Sequence, residues 1–205
     1  MKACLFAAAL AAGLGIAACA LPPKPTLPKV HVSHAATVFL EMGHESTCSG
    51  TIIGPHAVLT ATHCLSNPRL PLRVGYVEVR VITRIDDHAD HTIVFVDQTY
   101  SSWAEHGGEP VAGEAVTMYG NPGPHRDWTR CGAVIGHESD DGKDITLFDL
   151  NAFFGDSGSG IFDKDGLLIG VLDVVSLDMV GGVELKAAGS YPLAFTAQEW
   201  AGAAL

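Results

Sequence analysis

His63, a group of carboxylates at Asp86, Asp87, Asp90 and Asp97, and Ser157 follow one another along the chain. These are the side chains of acyl transfer. A serine hydroxyl is a poor nucleophile until a base removes its proton. An imidazole accepts that proton near neutral pH, and a buried carboxylate fixes its tautomer and stabilises the imidazolium. Ser157 stands in FFGDSGSG, residues 153–160, where glycines at 155, 158 and 160 let the backbone turn tightly and present its N–H groups outward. His63 ends the strand-like run LTATHC, residues 59–64. Singly, such a histidine reads as structural and such a Gly/Ser/Asp cluster as a loop. Together and in this order they read as chemistry.

The elements that must position them are short β runs. From residue 30 onward, ATVFLEM, CSGTII, AVLTA, RVGYVEVRVI, HTIVFVD, AVTMYG, CGAVIG, ITLFDL, SGIFD, LLIGVLDVV, GVEL and YPLAF are separated by Gly, Pro, Asn and Asp. GIFD-KDG-LLIGV is a hairpin with Asp-Gly at its turn. Many short strands with turn signals between them predict an all-β protein. The tail TAQEWAGAAL holds helix formers, with Thr196 as N-cap and Glu199 completing a capping box. The Gly-rich stretch at residues 105–115 reads as the join between two β halves.

Two motifs carry a resemblance. CSGTIIGPHAVLTATHC and GDSGSG resemble the two signatures of the chymotrypsin-like (trypsin-like) serine protease family, in its compact bacterial and viral form. Its TAAHC appears as TATHC and its GDSGG as GDSGS, and the likeness runs from about Val32 to the final helix. The resemblance implies two six-stranded antiparallel β-barrels followed by a C-terminal helix. It implies His63, Asp90 and Ser157 as catalytic residues and the backbone N–H groups of Gly155 and Ser157 as an oxyanion hole. Asp90 is preferred because the family places its acid just before an apolar strand, here His91-Thr92-Ile93-Val94; Asp86 and Asp87 lie short of that strand and Asp97 at its end. Cys48 and Cys64 bracket His63 as a disulfide does in the family, and the hairpin between them would bring its ends together. Cys131 is left over.

The pattern is also departed from. No Ile-Val-Gly-Gly-like stretch precedes the domain, so Asp156 needs a partner other than a new N-terminal amine. The floor of the specificity pocket falls at Asn151, with Ala152 beside it, which implies an uncharged preference. Aligning LLIGVLD with the family's L-x-G-I-V-S puts Asp173 where a serine usually touches the catalytic acid. Two carboxylates so close would raise one pKa, so either the site is electrostatically unusual or the alignment slips, and slippage is preferred. DDHADH, residues 86–91, has ligand types for a metal, but no spacing elsewhere completes a tetrahedral set, so no metal and no cofactor is expected.

The ends and the charge bound the setting. Acidic residues outnumber basic ones 23 to 12, a net charge of −11 that disfavours nucleic acid as a partner. MKACLFAAALAAGLGIAACA has secretory-signal architecture, and Ile16-Ala17-Ala18-Cys19 resembles a bacterial lipobox, with cleavage after Ala20 as the alternative. The expected organisation is a signal peptide at 1–18, a Pro-rich tether at 19–30, a first barrel at 31–107, and a second barrel with the terminal helix at 108–205. The expected protein is a serine endopeptidase acting on protein or peptide substrate. It would be secreted or held in the cell envelope, with Cys19 lipidated as a possible membrane attachment in the periplasm or outer membrane. The rival reading is a non-catalytic binding module on the same fold.

Overall fold

The computed structural model describes residues 29–43, 46–140, 142–180 and 183–205. The leader, Cys19 and the tether up to residue 28 lie outside these residues. Two antiparallel sheets share no strand. The first is built from β1 (Thr37–Met42), β2 (Ser46–Gly54), β3 (Ala57–Ala61), β4 (Leu72–Val74), β5 (Val77–Val79), β6 (Val81–Asp86) and β7 (His91–Val96), in the order β5-β4-β1-β2-β3-β7-β6. The second is built from β8 (Ala115–Gly120), β9 (Trp128–Asp140), β10 (Lys143–Phe148), β11 (Gly160–Phe162), β12 (Leu168–Val171), β13 (Val174–Val180) and β14 (Val183–Ser190), in the order β12-β11-β8-β9-β10-β14-β13.

Connectivity explains why both sheets curl. β5 and β6 stand at opposite ends of the first order, yet only Arg80 separates them; β12 and β13 do the same in the second, with only Leu172 and Asp173 between. A flat sheet of that width could not be spanned by so short a link. Each sheet has seven strands where six were expected. In the first, the run at residues 73–82, read as one strand, breaks into three: Gly75 turns it at φ +65° after β4, and the step at Arg80 moves it to the far edge.

β3 is buried at every residue, which is why its apolar run does not alternate. Val58 and Leu59, at 1% and 0% exposure, each contribute on the order of 1.5–3 kcal/mol by leaving water. YPLAF is not a strand. Pro192 has no N–H to offer a ladder, and the N–H groups of Tyr191 and Ala194 go instead to the side chains of Asp173 (3.0 Å) and Asp87 (3.1 Å).

Two helices strap the halves together. α1 (Lys29–Ala36), which the sequence reading did not anticipate, precedes the first sheet, yet its Ser33 hydroxyl donates to the carbonyl of Gly166 in the β11–β12 turn at 2.8 Å. α2 (Ala197–Ala203) follows the second sheet but lies on the first: a Cβ on Gly54 would fall 1.6 Å from the carbonyl oxygen of Ala203. Its N-terminus carries the expected capping box, with the Thr196 hydroxyl accepting the Glu199 N–H at 3.2 Å and Glu199 accepting the Thr196 N–H at 2.7 Å.

Candidate active site

β3 ends in a single tight turn, Thr62–Leu65, that carries His63 out of the core. Across from it, the turn between β6 and β7 folds on its own side chains. Asp86 accepts the N–H of His88 at 2.7 Å, and Asp87 accepts those of Ala89 and His91 at 2.8 and 3.1 Å. This local bonding holds His88 and Asp90 at φ +62° and +71°, a region that Asp tolerates better than most residues. Asp90 thereby reaches His63 twice, through Oδ1 to the backbone N–H at 3.0 Å and through Oδ2 to Nδ1 at 2.7 Å. Its carbonyl also accepts the Thr62 N–H at 2.7 Å. An ionised carboxylate only accepts, so the ring proton is on Nδ1 and Nε2 is left with a free lone pair. The His63 pKa is raised above 6.5 by that hydrogen bond, against desolvation, with the charges of Asp90 and Asp173 adding to the rise.

Ser157 arrives from the second sheet and is half-buried. Its carbonyl accepts the Ser49 N–H of β2 at 2.8 Å and lies 3.6 Å from Sγ of Cys64, the residue after His63. Cys64 is disulfide-bonded to Cys48, with Cα atoms 6.1 Å apart, so its sulfur has no hydrogen and this is a packing contact. The bridge ties the His63 turn to β2 and so to the strand against which Ser157 rests.

The loop before Ser157 is a turn in which the Asp156 N–H bonds the Phe153 carbonyl at 3.0 Å and Gly155 takes φ +100°. That positive angle at the third position defines a type II turn and calls for glycine. The Phe154 carbonyl accepts the Gly123 N–H at 2.8 Å. The same peptide unit is planar and trans, so the Gly155 N–H points the opposite way. Ser49 holds the other side: its buried hydroxyl donates to the Gly155 carbonyl at 2.9 Å and accepts the backbone and side-chain N–H groups of Asn121 at 3.1 Å each.

Asp156 finds its partner in Arg130 of β9, whose Nη2 lies 2.9 Å from Oδ1, while Oδ2 accepts the Phe153 N–H at 2.9 Å. The carboxylate is fully buried, and burial pushes its pKa up while Arg130 and the hydrogen bonds oppose the rise. Gly120 makes room for it, since a Cβ there would sit 2.2 Å from Asp156 Oδ1.

Beside Ser157 opens a cleft of about 690 Å³, walled by Trp128, Ala152, Phe153, Leu172 and Val174 among others. Ala152 faces it. Asn151 is exposed and is not among the lining residues. Cys131 is free and exposed.

Sequence reasoning missed two groups and set a third aside. Arg130 and Ser49 are ordinary residue types in ordinary strands, and nothing local marks them. The third is Asp173. The alignment does not slip: Asp173 lies close enough to Asp90 and His63 for its charge to act on both. Its Oδ2 accepts His91 Nε2 at 2.8 Å, while His91 Nδ1 lies 2.6 Å from Asp87 Oδ2, and all three side chains are 0% exposed. The Asp86–His91 stretch thus turns Asp87 and His91 toward each other rather than outward.

Two curled sheets with a histidine turn on one and a Gly-Asp-Ser-Gly loop on the other define a class, and the comparisons agree. The profile of the trypsin-like peptidase domain matches residues 48–171, and the chain belongs to that family of peptidases. Among solved structures, the active form of the Rv3671c protease from M. tuberculosis is 19% identical with a TM-score of 0.63, over 85% of this chain and 82% of that one. Its inactive form is 20% identical at 0.65, over 85% and 90%. Deg5 is 18% identical at 0.60, over 71% and 82%. At these identities the likeness is one of fold. No curated protein matches the chain.

Proposed function

We infer that the protein is a serine endopeptidase working through an acyl-enzyme. The observation that carries this reading is the double grip of Asp90 on His63, which leaves Nε2 as a base, in a turn packed against the residue that bears the Ser157 hydroxyl. Ser157 Oγ attacks the scissile carbonyl carbon and its proton passes to His63 Nε2. The carbonyl π electrons move to oxygen, where the N–H groups of Gly155 and Ser157 receive the negative charge; each such donor contributes on the order of 3 kcal/mol to lowering the barrier. Collapse expels the amine, which takes the proton from His63. Water then repeats the sequence on the ester and releases Ser157.

The cleft, mostly apolar but with His125, Asp173 and Lys186 also on its lining, supports a large side chain with an apolar body at the residue whose carbonyl is attacked. Export to the cell envelope with a lipidated Cys19 is the accompanying proposal on setting, tested by whether Cys19→Ser releases the protein from the membrane fraction. A fluorophosphonate probe tests the chemistry. Ser157 is expected to label in the wild type, and neither Ser157→Ala nor His63→Ala should; a wild type that stays unlabelled and cleaves no peptide would leave the binding-module reading.

A further inference from the structure

The Asp87–His91–Asp173 cluster lies outside the proton relay just described, yet it joins the two sheets directly behind it. Asp87 belongs to the turn that presents Asp90, and His91 is the residue after Asp90. Asp173 lies between β12 and β13 of the second sheet, next to Leu172, whose carbonyl accepts the Gly158 N–H at 2.8 Å and whose own N–H bonds the Ser159 carbonyl at 2.9 Å. One end of the cluster therefore adjoins the acid and the other adjoins the two residues that follow Ser157. The Tyr191 and Ala194 N–H groups also donate to the two carboxylates, each to the Oδ2 that faces His91, so a third segment is drawn in. We propose that Asp87, His91 and Asp173 are positioning residues that set the His63–Asp90 pair in register with Ser157 across the boundary between the sheets. This rests on the serine-peptidase reading above.

The chemistry of the cluster makes it sensitive to protonation. Both ring nitrogens of His91 face carboxylate oxygens, and two acceptors need two ring protons, so the working form is an imidazolium between two carboxylates. The groups facing it are Asp87 from its own turn and Asp173 from the second sheet. Asp90 and His63 stand beyond Asp173, and the Phe195 ring packs at 6.5 Å. Burial opposes the charge on His91, but the two carboxylates outweigh it and lift the pKa to about 9. Asp173 is pushed up to about 6 chiefly by burial, against His91 and with Asp90 adding to the rise; its Oδ1 has no hydrogen-bond partner among the described residues. At neutral pH the arrangement is carboxylate, imidazolium, carboxylate. Loss of the His91 proton would leave a lone pair facing one carboxylate and drive that contact apart.

The test is a pair of substitutions in the full chain. Asp173→Asn keeps the size, and its amide can donate to Nε2 of a neutral His91, giving up only the Tyr191 N–H that shares Oδ2, so the contact with His91 survives without the charge. Asp173→Ala removes the contact. For wild type, kcat/KM is expected to rise as His63 loses its proton and to fall again as His91 does, near pH 9. In Asp173→Asn the alkaline fall should vanish, and the acid limb should move to lower pH because a carboxylate that raises the His63 pKa is gone. Its kcat should stay within about tenfold of wild type, whereas Asp173→Ala should lose on the order of 100-fold in kcat with KM little changed. A profile for Asp173→Asn that overlays wild type, or an Asp173→Ala as active as Asp173→Asn, overturns the proposal. Should Asp173→Ala not fold, the Asp173→Asn profile decides alone. Should wild type neither label nor cleave, the peptidase reading fails, and NMR titration still judges the cluster. His91 must hold its proton to about pH 9 in wild type and lose it at lower pH in Asp173→Asn, and unchanged titrations would overturn it.

Discussion

Arg130→Met asks whether an internal cation holds the loop that carries Ser157. The substitution keeps an unbranched stem where the guanidinium now lies 6.0 Å from the Trp128 ring centre and 5.7 Å from that of Phe153, but it strips the fully buried Asp156 of its counterion. Breaking a buried pair from one side costs about 3–5 kcal/mol. Set against a total of about 5–15 kcal/mol for a domain, that leaves a folded but weakened chain. With a urea slope of about 2 kcal/mol per molar, the midpoint should drop by roughly 2 M. The loss must also depend on pH. Burial already raises the Asp156 pKa against the pull of Arg130, and without Arg130 it rises further. A carboxylate raised in the folded state favours folding below its unfolded pKa, and that contribution disappears as pH climbs through the folded value. The deficit of the variant should therefore be small in acid and grow as the pH rises from mildly acidic to mildly alkaline. Urea unfolding across that range, with fluorophosphonate labelling rates alongside, measures both effects. Labelling should slow by tenfold or more at the upper end, because swinging Asp156 out to water unravels the Gly155 turn. Arg130→Lys should fall between. A deficit below about 1 kcal/mol, or one indifferent to pH, would refute the argument.

Gly158→Ala should be more damaging than its size implies. The residue sits at φ +84°, and the new methyl would lie 2.2 Å from both the Ser49 carbonyl and the Thr60 hydroxyl. Strain and overpacking together amount to about 2–5 kcal/mol. The melting temperature should fall by roughly 5–15 °C, and an unchanged melting curve would contradict the geometry. Replacing Cys48 and Cys64 together by serine opens a loop of sequence separation 16 and should cost about 3 kcal/mol. It should also lower kcat by freeing the His63 turn, and equal stability of the reduced and oxidised chains would count against the bridge as a clamp.

What could be read from the residues were those parts whose reasons are local or motif-borne. The glycines of FFGDSGSG, the alternation and turns of the β runs, and the Thr196–Glu199 box each carry their cause within a few positions. So does the Asp90 turn, because Asp86 and Asp87 bond backbone N–H groups two and four residues further on. The strand count was harder. Gly75 in RVGYVEVRVI signals a possible bend, but only pairing partners on opposite edges make three strands of one run. α1 lies in a stretch dominated by the prolines before it. Arg130, Ser49 and Asp173 were the least legible, since their roles arise from contacts across 26, 72 and 82 positions of chain. Asp173 did announce itself as a misfit, and the misfit was discounted; a buried cation on the far sheet is what made it tolerable.

The helices that flank the two sheets cross over. Each flanks one sheet in sequence and fastens to the other, Ser33 to the Gly166 carbonyl and Ala203 against Gly54. Neither half is consequently a self-sufficient lobe: severed at the linker, each would surrender a seal to its former neighbour and expose the apolar floor beneath it. The enzyme is better pictured as a parcel tied at both corners than as two modules joined by a hinge, and its cleft should open by breathing within that wrapping rather than by the lobes swinging apart.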